Sequence, residues 1–280
     1  MPELPEVEAI ARTLRPIVQA QRIRCVHVFH PIVTRPQSAT QLVKDCEGRR
    51  VQDLRRHGKY LFLELDRGLL EMHFRFDGHL IWFPNAKDLL RRANVETDKS
   101  VHVDVALEFA KGVLGFADGR HLGRMHIWES TESCVPLQQM GVDALSKKFT
   151  ADLLKNELNA SRRPVKEFLL DQTRVAGVGN IYSCEALWHA QIAPLRPANS
   201  LSAKQSAKLH KGIVSVLRRA LECCLDPAPD FRDPEWWFQG IEKILRVYQR
   251  EGSPCKRCGR LIVRVEQGGR STYYCSHCQK

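Results

Sequence analysis

The chain lacks long apolar runs, a basic leader segment and repeats. None of its 280 residues falls in an apolar run near the roughly 18–20 residues that a bilayer-spanning helix needs. The N-terminus has acids and prolines where a secretory signal has a basic segment and an apolar core, and no long basic amphipathic helix favours a membrane surface. No internal repeat or low-complexity tract is present. These absences predict a cytoplasmic protein without a membrane partner.

Acidic residues are also too few to balance the basic ones. Lys and Arg total 43 against 32 Asp and Glu, which leaves a net charge of +11. This excess favours a polyanionic partner, most commonly nucleic acid, and a DNA-binding chain would be nucleoid-associated. The hydrophobic content of 43% and the charged content of 27% are typical of a globular protein, and the length suits two domains.

The first half of the chain predicts one helix followed by a β-sandwich. Apolar residues recur at helical spacing over 5–19, and from about residue 22 the period changes to two. Many short strands separated by turns indicate a β-sandwich or a flattened barrel. Strands are predicted at 22–29, 49–55, 60–65, 69–74, 80–83, 101–109 and 113–117.

The second half is predicted to be helical, so the fold class is α+β. The strand pattern breaks between 129 and 142, which predicts an interdomain hinge. Helices are expected at 151–158, 164–171, 180–190 and 202–223, followed by a Pro- and Asp-rich loop over 224–240. The predicted divisions are a β-sandwich domain at 1–130, a hinge at 131–143, a helical domain at 144–252 and a terminal finger at 253–280.

Two Cys-x-x-Cys pairs near the C-terminus predict a zinc site. Their spacing C-x2-C-x16-C-x2-C is typical of one zinc ion held by four thiolates. Because four thiolates leave no open coordination position, the ion would be structural. Strands at 261–265 and 271–274 would surround Gly268-Gly269 in a β-hairpin. The expected ligands are Cys255, Cys258, Cys275 and Cys278.

The first residues carry the most reactive candidate group. If Met1 is removed, Pro2 becomes a free secondary amine with Glu3 and Glu6 close behind it. An α-amino group titrates at about 7.7–8.0, so part of it is a neutral nucleophile near neutral pH. A carboxyl group beside it can act as general acid or base. The alternative interpretation is a helix start, with Pro5 in the first turn and acids favoured by the helix dipole.

A glycine-rich turn and nearby bases form a candidate phosphate site. The turn at 175–180 precedes a predicted helix, so glycines and free helix N–H groups could approach an anion. Arg162, Arg163 and Lys166 would supply positive charge. The alternative is ordinary packing of a helix–turn–helix.

Three further segments are candidates for nucleic-acid contact. Lys59 lies at the mouth of a strand, where the alternative is a solvated lysine. The loops 74–78 and 116–123 each set an apolar side chain beside Arg and Gly. Such loops suit a wedge that enters a base stack, and plain hairpin turns are the alternative.

Taken together, these features resemble the bacterial formamidopyrimidine-DNA glycosylase family of bifunctional base-excision enzymes. The resemblance covers nearly the whole chain. It rests on the opening Pro-Glu-Leu-Pro-Glu-Val-Glu, Gly-Lys-Tyr at 58–60, Gly-Val-Gly-Asn-Ile-Tyr at 177–182 and the four-cysteine finger. It implies an N-terminal helix with a two-sheet β-sandwich, a helix–two-turn–helix domain and a β-hairpin zinc finger. The expected protein is a monomer that binds damaged double-stranded DNA.

The resemblance also implies a mechanism. The damaged base would be flipped out of the duplex. Pro2 would attack C1′ of the deoxyribose, expel the base and form a Schiff base, while Glu3 would protonate the opening sugar and Glu6 would support the site. Lys59 matches the lysine of phosphate binding and β-elimination, and Arg270 the finger arginine of phosphate contact and δ-elimination. The product would be a one-nucleotide gap.

DNA contacts are implied in both halves of the chain. Asn180 matches the family's phosphate-binding asparagine, Glu185 the acid shortly after it, and Arg120 the arginine that contacts the orphaned base. The full set of expected DNA-binding residues is Phe76, Arg120, Leu122, Arg162, Lys166, Asn180 and Glu185.

The chain departs from the family pattern in its DNA-facing loops. Phe76 stands where Met is usual, and Asp118-Gly-Arg-His-Leu-Gly123 replaces Asp-Pro-Arg-Arg-Phe-Gly, so Leu122 takes the place of an aromatic wedge. Both replacements can still fill a base-sized gap. The segment 223–231 lacks the Gly-Gly-Thr-Thr-like run that caps an oxidised purine, which favours formamidopyrimidines, hydantoins or oxidised pyrimidines over 8-oxoguanine. The altered loops also motivate an alternative function, a non-catalytic damaged-DNA-binding paralogue.

Overall fold

The chain divides into two units, one mainly of strands and one mainly of helices. The structure, a computed structural model, describes residues 2–93, 102–226, 230–231 and 240–280. The first unit is built mainly from Glu6–Gln138, and the second from Glu3–Pro5, Gln139–Cys223 and Gly240–Lys280. The division after Gln138 falls inside the predicted hinge. The predicted loop at 224–240 lies largely outside the described residues.

Helix α1 spans Leu4–Val18, within one residue of the predicted 5–19 at each end, and enters the first unit at Glu6. Val7, Ile10 and Leu14 are buried, as their spacing on one helical face predicts. Pro5 fits the first turn, where its missing N–H would have no helical partner.

Two four-stranded antiparallel sheets carry the core of the first unit. Their strands are β1 (Cys25–Val28), β2 (Val51–His57), β3 (Tyr60–Leu65), β4 (Leu69–His73), β5 (His79–Phe83), β6 (Val103–Phe109), β7 (Gly112–Ala117) and β8 (Arg124–Trp128). The spatial orders are β1-β6-β7-β5 and β2-β3-β4-β8. The predicted two-sheet arrangement is therefore confirmed.

Among the strands and α-helices that the sequence-based prediction missed, four lie before residue 140. They are β8 and the helices α2 (Ala39–Cys46), α3 (Ala86–Ala93) and α4 (Val135–Gln139). Strand β8 does alternate, with Met125 and Ile127 inside, but it is only 5 residues long. Short elements of this kind carry too few repeats for periodicity to identify them.

The second unit is helical and includes the finger. Its helices are α5 (Ala151–Asn159), α6 (Val165–Leu170), α7 (Asn180–Ala190), α8 (Ala203–Leu225) and α9 (Ile241–Ile244). The prediction agrees with α7 at both ends and with α5, α6 and α8 within two residues. Leu154, Phe168 and Leu217 from three of these helices share one apolar cluster. In the described residues, no helix has both the length and the apolarity for crossing a membrane.

Two strand pairs complete the second unit. Strand β9 (Val142–Asp143) pairs in parallel with β10 (Val175–Ala176), so the last part of the predicted hinge is ordered structure of this unit. Strands β11 (Val263–Gln267) and β12 (Arg270–Tyr274) form the predicted hairpin. The turn residues Gly268 and Gly269 have φ of 57° and 70°, the left-handed backbone that a two-residue hairpin turn requires.

Candidate active site and nucleic-acid interface

The carboxylate of Glu3 is held at the start of α7. Glu3 is buried, and its Oε1 accepts a 2.9 Å hydrogen bond from the N–H of Ile181. The first N–H groups of a helix have no helical partner, so an anion is well placed there. A Cβ on Gly179, the residue before α7, would overlap the Glu3 carboxylate. Glycine at 179 therefore permits this approach.

The backbone after Glu3 fits the same turn. Leu4 donates its N–H to the carbonyl of Gly177 at 3.3 Å. Gly177 has a φ of +104°, and a Cβ there would overlap the Leu4 side chain. The side chain of Gln172 accepts from the Gly177 N–H at 2.9 Å and donates to the Val178 carbonyl at 2.8 Å. The glycines predicted to approach a phosphate thus accommodate the chain's own N-terminal segment.

Helix α7 is also tied to the finger hairpin. The side-chain amide of Asn180 donates to the carbonyl of Ser271 at 3.1 Å. Ser271 follows Arg270, which is exposed. Asn180 therefore positions the strand that presents the Arg270 guanidinium.

Lys166 does not hold the predicted phosphate-contacting position. Its side chain is fully buried, and its Nζ donates to Thr272 Oγ1 at 2.7 Å and to the Ser271 carbonyl at 3.2 Å. Burial lowers the pKa of Lys166. An ammonium without solvent access does not meet a phosphate here, so Lys166 positions the hairpin instead. Arg162 is exposed and remains available for the predicted phosphate contact.

Glu185 also differs from its predicted role in DNA binding. Its carboxylate is buried and accepts the backbone N–H groups of Arg246, Val247 and Tyr248 at 2.8–2.9 Å. Burial raises the pKa of Glu185 against the opposing effect of these hydrogen bonds. The carboxylate therefore anchors the segment after α9 and has no surface for DNA.

The four cysteines predicted to bind zinc come together. Their sulfur atoms lie within 4.8 Å of one another, and those of Cys258 and Cys275 are 3.5 Å apart. Thiolates at about 2.3 Å from a tetrahedral zinc ion would be about 3.8 Å apart, so this cluster fits a four-thiolate site. The indole N–H of Trp188 donates to the Cys255 sulfur at 3.4 Å.

In the first unit, Lys59 is held in a short turn between β2 and β3. Lys59 is only 8% exposed, which excludes the solvated alternative. Gly58 has a φ of 56°, and its carbonyl accepts from Arg56 Nη1 at 2.9 Å. Arg56 Nε also donates to Glu8 on α1 at 2.7 Å. The lysine turn is thus tied to the helix that starts after Pro2. Glu6 on the same helix is buried.

Two loops of the first unit expose large apolar tips. Phe76 is 52% exposed and Leu122 is 50% exposed. At the bases of these loops, Phe74 directly after β4 and Phe116 in β7 are buried and stack with ring centroids 5.9 Å apart. The exposed pair is therefore accessible, and its role as a wedge remains a prediction, while the buried pair packs at the loop bases.

Polar contacts hold these two loops together. Arg120 Nε lies 2.5 Å from Asp77 Oδ2. The Asp118 carboxylate accepts the N–H groups of Arg120 at 3.0 Å and Leu122 at 2.9 Å. The loop tip that carries Arg120 and Leu122 is thus wrapped around one carboxylate.

Three family models match the chain. They are the formamidopyrimidine-DNA glycosylase N-terminal domain at residues 1–125, the formamidopyrimidine-DNA glycosylase H2TH domain at 140–226, and the zinc finger found in FPG and IleRS at 252–280. A protein of Bacillus licheniformis named formamidopyrimidine-DNA glycosylase is 37% identical over 284 residues, covering 100% of both chains. One of Desulforamulus reducens with the same name is 39% identical over 286 residues, covering 100% of this chain and 99% of that protein.

Solved structures agree with this similarity. The Lactococcus lactis enzyme in complex with DNA containing an abasic site has a TM-score of 0.86 and 30% identity, covering 100% of both chains. The chain belongs to the formamidopyrimidine-DNA glycosylase family. The predicted family and α+β architecture are thereby confirmed, and the finger match together with the four-cysteine cluster confirms a structural zinc ion.

Each residue that is predicted to be catalytic lies within one of the two units. Pro2, Glu6 and Lys59 lie in the first unit, whereas Glu3 and Arg270 lie in the second. Their roles, like those of the DNA-contacting residues, remain predictions for this family member.

Supporting residues of the site were not predicted from sequence. Arg56 reaches Glu8, 48 residues away, whereas Gln172 bonds Gly177, only 5 residues on, and neither belongs to the motifs that identify the family. Arg56 had a local signal, because it immediately precedes the His-Gly-Lys turn. Gln172 had none.

Proposed function

We propose that this chain is a bifunctional DNA glycosylase and AP lyase that removes oxidised or ring-opened bases from duplex DNA. Family membership supports glycosylase activity in DNA repair and disfavours the non-catalytic alternative. The observation that carries the lyase part is the Glu3 carboxyl, which is buried, hydrogen-bonded and one residue from the candidate nucleophile.

The chemistry starts from the free amine of Pro2. After Met1 is removed, the neutral nitrogen attacks C1′ of the damaged nucleotide, and the bond to the base breaks with its electron pair leaving on the base. The ring oxygen then departs as the sugar opens and a Schiff base forms. Elimination of the 3′-phosphate and then of the 5′-phosphate leaves a one-nucleotide gap.

The other catalytic residues serve proton transfer and charge. Glu3 protonates the opening sugar oxygen as general acid, and the Ile181 N–H fixes the orientation of its carboxyl. Glu6, on α1, supports the site. Lys59 and Arg270 bind the phosphates that leave in the two eliminations.

We assign DNA recognition to the loops 74–78 and 116–123 of the first unit and to polar residues of the second unit. Phe76 and Leu122 fill the gap left by the flipped nucleotide, while Arg120 contacts the orphaned base. Arg162 and Asn180 bind backbone phosphates, supported by the net charge of +11.

DNA bound to a relative supports the proposed substrate classes. Lactococcus lactis structures contain DNA with an abasic site, an oxidised pyrimidine or Fapy-dG, and we extend these classes to this chain. It acts as a monomer in the bacterial cytoplasm, associated with the nucleoid.

Borohydride trapping tests this function. Duplexes with an abasic site, Fapy-dG or an oxidised pyrimidine are incubated with the full chain, whose loss of Met1 is checked by intact mass. A covalent protein–DNA adduct is expected, and Pro2→Gly should abolish it because the secondary amine is lost.

Pro16→Ala is the matched control, since Pro16 is an exposed, peptide-bonded proline of the same helix. It should retain the adduct. Tight binding of these duplexes by processed protein without any adduct would support the non-catalytic paralogue instead.

A further inference from the structure

A second group of metal-ligating side chains lies in the first unit, apart from the finger cysteines in sequence. It consists of His30, two residues after the end of β1, Asp104 on β6 and His121 in the loop between β7 and β8. One ligand atom from each residue lies within 4.8 Å of the other two. Two imidazoles and a carboxylate are a ligand set that transition-metal ions favour.

The carboxylate of this group is incompletely satisfied. Asp104 is fully buried, and its Oδ1 lies 2.6 Å from His121 Nδ1. Its Oδ2 is buried without a hydrogen-bond partner in the described part of the chain. Burial raises the pKa of Asp104. A buried carboxylate oxygen that lacks a donor is costly, and a cation at this point would remove that cost.

The backbone holds the three ligands in place. The Asp104 carbonyl accepts the N–H groups of Phe29 at 2.8 Å and His30 at 3.1 Å. His121 has a φ of 53°, a left-handed conformation that is uncommon for residues other than glycine. Its N–H donates to the Asp118 carbonyl at 3.0 Å.

The histidine rings already face one another. The His30 and His121 rings have centroids 4.6 Å apart and planes inclined by 39°. His30 is exposed, so an ion can enter from solvent. His121 stands where the family motif Asp-Pro-Arg-Arg-Phe-Gly has its second arginine, so the ligand set is a property of this chain and not of the motif.

We propose that His30, Asp104 and His121 bind a zinc ion distinct from the structural ion of the finger. Three protein ligands leave one tetrahedral position for water or a phosphate oxygen. Arg120 and Leu122 flank His121 in sequence, so the bound ion would fix the loop that presents them. This last consequence rests on the proposed function, whereas the binding of the ion does not.

Metal content of the full chain tests the site. Protein dialysed against excess Zn²⁺ and then against metal-free buffer should hold two ions per chain by plasma mass spectrometry. His121→Asn and His30→Gln should each hold one. Asparagine tolerates the left-handed backbone at 121, so that variant is expected to fold, and circular dichroism checks it.

His27→Gln is the matched control. His27 belongs to the other three-ligand group of this unit, with Cys25 and Glu108, and its variant should still hold two ions. One ion in the wild type, two in His121→Asn, or loss of the second ion only in His27→Gln would overturn the proposal.

Cobalt distinguishes the ligand types. Co²⁺ added to protein with a zinc-loaded finger should give the weak visible bands of nitrogen and oxygen ligation. An intense thiolate-to-cobalt charge-transfer band would instead place the ion on cysteine and contradict the assignment.

DNA affinity measures the effect of the bound ion on the loop that carries Arg120 and Leu122. The two-zinc form should bind a duplex with an abasic analogue about two- to tenfold more tightly than His121→Asn, because fixing one interface side chain in advance has an effect of this size. Equal affinity would contradict the proposed effect on the loop. The existence of the metal site would still be decided by the metal content. Failure of borohydride trapping would bear only on the proposed function.

Discussion

The Glu3 carboxylate accepts a 2.9 Å hydrogen bond from the backbone N–H of Ile181, a residue 178 positions away in sequence. This bond places the candidate general acid at the N-terminus of α7. It also explains the Gly-Val-Gly run before the helix, because Gly177 and Gly179 leave room for Leu4 and Glu3. The glycine motif and the N-terminal motif are therefore parts of one structure.

Gly179→Ala tests this relationship. The Gly179 backbone is extended, with φ of −123°, so alanine adds no backbone strain, but its Cβ would displace the Glu3 carboxylate. We expect a folded protein whose AP lyase rate falls about ten- to hundredfold, since misplaced catalytic groups have effects of this size. Single-turnover cleavage of an abasic duplex measures the rate. Gly119→Ala is the control for stability, because nothing lies within 4 Å of its added Cβ. An unchanged rate in Gly179→Ala would contradict the positioning role.

Arg56 is predicted to support Lys59. Arg56→Ala removes the hydrogen bonds to Glu8 and to the Gly58 carbonyl, so the Lys59 turn loses its tie to α1. We expect the lyase rate to fall about tenfold with modest loss of stability. Arg12→Ala is the matched control, since Arg12 pairs with the same Glu8 but is largely exposed. Equal effects of the two variants would show that only the charge near Glu8 matters.

His73 makes the first unit sensitive to acid. Burial, assisted by Arg75 and Lys59, lowers the pKa of His73 to about 3 from 6.5. Its Nδ1 accepts the Arg75 N–H at 3.1 Å, which requires the neutral ring. The stability from this neutral ring is complete above pH 6.5. It is lost as pH falls toward 3, because the unfolded chain then takes up the proton.

His73→Asn should remove this dependence while keeping an acceptor for the Arg75 N–H. Urea unfolding of wild type and variant at pH 7.5 and pH 5.5 is the measurement. The wild type should lose about 1 kcal/mol more than the variant over this interval, from about 1.4 kcal/mol per pH unit below 6.5. Parallel losses in the two proteins would show that His73 does not titrate as inferred.

Zinc removal should weaken DNA binding. A two-stranded hairpin is marginal by itself, so β11 and β12 depend on the four-thiolate ion for their geometry. Chelation or Cys275→Ser should reduce affinity for an abasic-analogue duplex at least about tenfold, measured by fluorescence anisotropy. Cys223→Ser, at a cysteine outside the finger, should bind normally. Retained affinity in zinc-free protein would contradict a role of the finger in DNA contact.

Glu185→Ala tests the corrected role of that residue. The variant leaves three backbone N–H groups, one buried and two part-buried, without their acceptor, so a loss of about 2–4 kcal/mol in the free energy of unfolding is expected. Glu222→Ala, at an exposed position of α8, should change it by no more than about 0.5 kcal/mol. A stable Glu185→Ala protein with weakened DNA binding would restore the original prediction.

Local sequence determined the elements with strong internal signals. Strand β3 and helix α7 agree with the predicted 60–65 and 180–190 at both ends, because their apolar patterns and bounding glycines are local features. The zinc ligands were also predictable, since the spacing of the two cysteine pairs is characteristic of the site. Family motifs, read in order along the chain, were sufficient to identify the family.

Only the tertiary structure decided which polar residues are inside. Lys166 and Glu185 look like surface charges in sequence, yet both are buried against partners far along the chain. Likewise, no local pattern joins His30 and His121 to Asp104. Burial depends on which distant segments cover a side chain, whereas periodicity reports only which face of its own element it occupies. For this reason the sequence determined the family and the reactive groups, and the fold determined which charges are available to DNA.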